Sequence, residues 1–223
     1  AVGLIKYFTR AERHLLPAAG VLSIVSVILL MVQQQQLPVW KNDASLFGHE
    51  MKVNPRSMLA PYYYGKLFEE SDPEKALGYY EKAHAIDPQA GLPLLQIGMV
   101  QQKLGRHTEA LNAFNLGTKV SSPLAENWNR LLMLQAELGL HDEAEATIQQ
   151  GLERFPNELR STINAANYYL VNRQRPAKAV TLYLKALELD PGNSHCLKGA
   201  ALCYQRLGEP EKAQALLDRL NGR

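Results

Sequence analysis

Small and bulky apolar residues recur in register along the chain from residue 57 onward. Ala76, Ala110, Ala144, Ala179 and Ala213 follow one another at spacings of 34, 34, 35 and 34. Four positions after each comes a larger side chain: Tyr80, Phe114, Ile148, Tyr183 and Leu217. Pro88, Pro123, Pro156 and Pro191 close successive units, and Gly105, Gly139 and Gly208 punctuate their middles, with Gln174 in the equivalent place of the fourth unit. A repeat of about 34 residues with this pattern predicts two antiparallel helices per unit.

Each residue type has a physical reason to recur. Alanine lets two helices approach, and the bulky residue one turn later fills the space beyond. Glycine reverses the chain where φ is positive, and proline stops the second helix. One hairpin cannot hide its apolar face, so neighbouring hairpins must stack. The predicted units are 58–90, 91–124, 125–159, 160–193 and 194–223. Their helices are expected at 58–70, 73–86, 91–104, 107–120, 125–138, 141–153, 160–172, 176–188, 194–207 and 210–221. The first unit is one residue short around Ser71-Asp72-Pro73, and Pro176 opens a helix in the fourth, where a missing N–H costs least. A further helix at about 41–53 is expected to cap the first hairpin. The last unit has no cap, so Leu216, Leu217 and Leu220 are expected to be partly exposed or covered by a partner.

Upstream the pattern changes. The run from Leu15 to Val32 carries no charge and is apolar on every face. As a helix it matches the hydrocarbon thickness of a bilayer and satisfies its own backbone. It gives way to Gln33–Gln36, with Trp40 placed to mark the membrane–water boundary. No small-x-small cleavage site follows, which disfavours a signal peptide. Lys6, Arg10 and Arg13 precede the run, and that bias puts the N-terminal flank in the cytoplasm and the repeats on the other side. The reading is therefore a juxtamembrane segment at 1–14, a membrane helix at 15–36, a capping helix and linker at 37–57, and a solenoid at 58–223. The chain starts at Ala1 without an initiator methionine, so it is expected to be trimmed or a C-terminal piece of something longer.

Charge and chemistry narrow the function further. The chain has 24 basic and 22 acidic residues. Residues 37–223 are balanced, which argues against nucleic acid, since that ligand demands a basic face. Cys196 and Cys203 are seven residues apart on one predicted helix, about 10 Å along its axis, too far to bridge each other. Nor do they have close-spaced partners for zinc. His107 and His141 occupy equivalent turns, as repeat equivalence requires, and His49-Glu50 lacks the second histidine of a zinc-protease helix. There is no nucleophile elbow, phosphate loop or dinucleotide fingerprint. No metal, cofactor or catalytic residue is assigned. Of Tyr62-Tyr63-Tyr64, at least one ring is expected in the core.

These rows resemble the tetratricopeptide (TPR) family. Tyr183-Leu-Lys-Ala-Leu-Glu-Leu-Asp-Pro191 is close to its consensus, and Trp128 falls where that family favours tryptophan. The resemblance covers about three quarters of the chain. It implies an all-α, right-handed TPR superhelix of about five hairpins, with the capping helix and the membrane helix before it. A second resemblance covers the junction. Trp40, Asp43, Leu46, Phe47, Asn54 and Pro55 stand in the order seen after the last membrane span of O-mannosyltransferases that carry C-terminal TPR repeats. That family's catalytic acidic residues lie in an early loop with no counterpart here, so none is carried over.

In TPR proteins the first helix of each unit lines the concave face. The resemblance therefore implies partner contacts at Tyr62, Lys66, Leu95, Met99, Gln102, Asn129, Met133, Asn164, Tyr168, Lys198, Leu202 and Gln205. Amide side chains can bind a peptide backbone whatever its sequence, and methionine and tyrosine give adaptable apolar contact. A protein or extended peptide partner is expected. The leading expectation is the non-catalytic tail of a membrane glycosyltransferase, in the bacterial inner membrane or the endoplasmic reticulum, that recruits acceptor protein or an assembly partner. The other is a single-span factor that assembles an envelope complex such as a pilus or a polysaccharide exporter. A third class, the glycosyltransferase itself, applies if the catalytic part lies upstream.

Overall fold

The computed structural model describes residues 25–34 and 39–222. Twelve helices appear among them: α1 at 25–34, α2 Asp43–Val53, α3 Leu59–Lys66, α4 Pro73–Ile86, α5 Gly91–Lys103, α6 His107–Lys119, α7 Ala125–Glu137, α8 His141–Arg154, α9 Leu159–Val171, α10 Pro176–Leu189, α11 Ser194–Arg206 and α12 Pro210–Leu220. No strand occurs among the described residues, only an isolated bridge between Ala90 and Ser122.

Helices α3 to α12 form five hairpins that follow one another in chain order. Each helix packs on the next, and α2 packs on α3. The first helices of successive hairpins (α5 on α7, α7 on α9, α9 on α11) also touch directly, while no second-helix pair among the described residues packs comparably. The first helices therefore line the inner side of the superhelix. The recurring alanines sit at the closest approaches, with Ala76, Ala110, Ala144, Ala179 and Ala213 all at most 2% exposed. Tyr80, Phe114 and Tyr183 are equally buried. The interior falls into three apolar clusters, each shared by neighbouring hairpins, as stacking requires.

The turns follow the glycine pattern with one instructive exception. Gly105, Gly139 and Gly208 take φ of 75°, 71° and 77°. Gln174 takes φ of 50°, the one non-glycine residue with positive φ among those described. The first helices of hairpins three and four start at Ala125 and Leu159 and end at Glu137 and Val171, a spacing of 34 at both ends. Their second helices start at His141 and Pro176, a spacing of 35. The extra residue thus lies in the turn at 172–175.

Two expectations need correction. The helix expected at 58–70 ends at Lys66, because Leu67 and Phe68 tighten into three-residue turns on Tyr64 and Gly65. Leu216 is buried at 6% exposure rather than partly exposed, whereas Leu217 and Leu220 are half-buried against the same interior, as expected. Of the expected membrane helix at 15–36, only 25–34 are described. They are helical, with Val25, Val27, Ile28, Leu29, Leu30, Met31 and Val32 exposed. The flank at 1–14 lies outside the described residues. Among the described residues no helix is long and apolar enough to cross a membrane.

Candidate functional site

A groove of about 480 Å³ crosses the inner helices α5, α7 and α9. Its walls are Gln102 from α5, then Leu132, Met133, Ala136 and Glu137 from α7, and Asn164, Asn167, Tyr168, Val171 and Asn172 from α9 and its end. Helical spacing explains the set: 133 and 137, and 164, 168 and 172 with 167 and 171, each lie one turn apart on one face. Met133 and Val171 are 53% and 68% exposed, large apolar side chains facing solvent with no intramolecular need to do so. Around them stand amides. Glu137 is the one charged residue among the described lining residues, and it accepts a hydrogen bond from Gln102 Nε2 at 3.4 Å.

The polar groups behind the groove are fixed. The Tyr168 hydroxyl donates to the His141 carbonyl at 3.1 Å and lies 3.2 Å from His141 Nδ1, and burial raises its pKa. Asn167 Oδ1 accepts from the Tyr183 hydroxyl at 2.5 Å and lies 2.9 Å from His195 Nε2. Burial pushes the Tyr183 phenol up to about 12, with the two cysteines adding to the shift, so it remains a donor at neutral pH.

The expected partner residues divide into three sets. Gln102, Met133, Asn164 and Tyr168 come together in this groove. Tyr62, Leu95 and Asn129 do not face it; they are buried at 4%, 7% and 3%. Tyr62 packs between Tyr63 and Tyr80 and accepts from Gln96 Nε2, while Leu95 lies in the interior with Phe114 and Leu134. Their row points between hairpins. Lys66, Lys198, Leu202 and Gln205 are exposed on inner helices nearer the two ends, and Met99 is half-buried. Leu132, Ala136, Glu137, Asn167, Val171 and Asn172 are groove residues that the sequence reading omits. The signal was available: Asn167 and Val171 stand at the same turns of α9 as Met133 and Glu137 do of α7.

A second groove, about 720 Å³, lies between the second helices α8 and α10. Ile148, Leu152 and Leu182 are among its walls, and Glu145 and Lys178 stand at its edge. Glu145 accepts from Arg173 Nε at 3.0 Å, Arg175 Nη1 at 2.9 Å and Lys178 Nζ at 3.3 Å. Burial alone would raise its pKa, but Lys178, Arg175 and Arg173 hold the carboxyl below its usual range. The cluster ties the third hairpin to the fourth and leaves Glu145 no free base character.

No group of three or more histidine, cysteine or acidic side chains is arranged for a metal among the described residues. Cys196 and Cys203 are buried free thiols. Burial raises both, Cys203 to about 11, against the opposing pull of Arg206. Both are therefore poor nucleophiles.

Comparison with known proteins finds the same repeat in the C-terminal part of the chain. Residues 129–194 and 170–223 each match a tetratricopeptide repeat model. Among curated proteins the chain is similar to Protein O-mannosyl-transferase TMTC3 of Homo sapiens, 26% identical over 190 residues, covering 78% of this chain and 21% of that protein. The chain thus spans about a fifth of the length of the curated relative it matches. Among solved structures it shares its fold with PilW, a type IV pilus biogenesis factor, at a TM-score of 0.63 and 17% identity, covering 91% of this chain and 93% of the other. YrrB, a TPR protein with an unusual peptide-binding site, matches at a TM-score of 0.60 and 20% identity over 79% of this chain and 91% of that one.

Proposed function

We propose that this chain, which carries tetratricopeptide repeats, is a membrane-attached scaffold that binds an extended segment of another protein along its inner groove. The observation that carries the reading is the pair Met133 and Val171, exposed side by side among amides where the inner helices meet. Exposed apolar groups of this size, ringed by hydrogen-bonding side chains and with no basic residue among the described lining, suit a peptide rather than a nucleic acid or a small anion. The chain itself does no chemistry in this reading.

The attachment rests on the uncharged run at 15–32 and on the exposed apolar side chains of α1. The repeats would then lie on the non-cytoplasmic side. The similarity to TMTC3, with the Trp40-to-Pro55 junction, supports the C-terminal region of a membrane glycosyltransferase, whose repeats would hold acceptor protein or an assembly partner near the catalytic part. The second reading is a single-span assembly factor for an envelope complex. The length of PilW matched favours it, although that likeness is one of fold.

Two experiments test the reading. Carbonate extraction and vesicle flotation of the full chain should leave it with lipid; release into the soluble fraction would remove the membrane part. Val171→Asp in the full chain should weaken capture of any peptide selected on the parent protein by roughly ten-fold or more, since it buries a charge at the contact. Leu182→Asp, in the outer groove, should leave capture unchanged. The reverse pattern would move the binding site to the outer surface.

A further inference from the structure

The amides along the groove are not equivalent. Among the described residues, no hydrogen bond fixes which end of the Asn164 or Asn172 amide faces out, whereas Asn167 is held. Its Oδ1 sits 2.5 Å from the Tyr183 hydroxyl and 2.9 Å from His195 Nε2. A tyrosine hydroxyl can donate there, and a histidine ring nitrogen reaches a carbonyl oxygen at that distance only as a donor. With the oxygen committed to two donors behind it, the side chain has only its Nδ2–H groups left to offer the groove that it lines. The backing is rigid: Tyr183 is 1% exposed, and its ring lies so close to Gly199 that an added Cβ would fall 2.5 Å from it.

We infer that Asn167 is a pre-oriented donor for a main-chain carbonyl of the bound peptide, and that Tyr183 and His195 are the residues that position it. The occupant is an extended segment with one aliphatic side chain seated between Met133 and Val171. Three inner helices about 8–10 Å apart span roughly 20 Å, which an extended chain covers in about six residues. The charge at the rim selects further. Glu137 is the one ionised group among the described lining residues, so a lysine or arginine near the aliphatic anchor is favoured and an acidic residue there is rejected. Fixing a donor before binding removes an ordering cost from association. The inference rests on the inner groove being the peptide site.

The test uses the full chain in lipid nanodiscs and an array of ten-residue peptides with leucine fixed at the centre and the flanking positions varied. Affinity of the best binder is then read by fluorescence anisotropy. Asn167→Ala should weaken binding by roughly three- to ten-fold, the range for one lost hydrogen bond. Asn167→Asp, which turns an acceptor toward the peptide carbonyl, should weaken it further. Tyr183→Phe keeps the ring on Gly199 and removes only the hydroxyl, so it should weaken binding in the parent but have no added effect on Asn167→Ala. Glu137→Gln should flatten the preference for basic neighbours. If Tyr183→Phe weakens binding equally with and without Asn167, the tyrosine acts through the fold and the inference fails. A peptide whose capture Val171→Asp abolishes but the Asn167 variants leave intact overturns this inference alone. An array with no groove-dependent binder overturns the parent reading with it.

Discussion

Phe114 packs directly against Gly98 across the second hairpin, so close that a Cβ on Gly98 would fall 2.4 Å from the ring. An alanine in mid-helix ordinarily gains about 0.5–1 kcal/mol over glycine. Here the added methyl must displace a ring that is fully buried. Overpacking of this kind costs about 1–3 kcal/mol. Gly98→Ala should therefore lower stability in chemical denaturation, and a stabilised variant would show that the ring has room to move.

The fourth hairpin stores strain that the others avoid. Gln174 holds φ of 50° where its equivalents are glycines. A side chain in that region costs about 1 kcal/mol or more. Gln174→Gly should raise the melting temperature, while Gly139→Ala, whose Cβ would meet nothing, should lower it through backbone strain alone. Opposite signs in the two melting curves check the account.

The Glu145 cluster predicts a pH dependence. Its carboxyl is held below the ordinary value in the folded chain, so the stability it contributes is present above the unfolded carboxyl's pKa and is lost as pH falls through the folded one. At pH 7 Glu145→Gln should melt a few degrees below the parent. The gap should close as the medium is acidified below the usual carboxylate range. A gap that widens in acid would contradict the assignment.

Cys196 and Cys203 should resist a thiol reagent at pH 8 in the folded chain and both react in denaturant. Burial hides them and raises both thiols. Rapid labelling of the native chain would mean that the last hairpin opens.

The hairpins were legible in the sequence because the alanine and bulky rows repeat at nearly constant spacing, from Ala76 to Ala213. The groove was only half legible, and the reason lies in one turn. The extra residue near Gln174 follows α9, so α7 and α9 correspond at an offset of 34 while α8 and α10 correspond at 35. Carrying 35 back into the first helix pairs Asn129 and Met133 with Asn164 and Tyr168. The structure instead pairs Met133 and Glu137 with Asn167 and Val171. Tyr62, Leu95 and Asn129 failed for a different reason: on an inner helix the row one turn before the groove is covered by the neighbouring hairpin. Lys198, in the same row, is exposed because no hairpin follows its own among the described residues.

The central claim is that a partner chain lies across Met133 on the inner face, and the five methionines of the chain allow it to be seen directly. With ¹³C-methyl-methionine label in the full chain, an array-selected peptide should shift the Met133 signal and leave those of Met51 and Met58 in place. A saturable peptide that moves Met51 or Met58, or that binds while Met133 stays still, would contradict it.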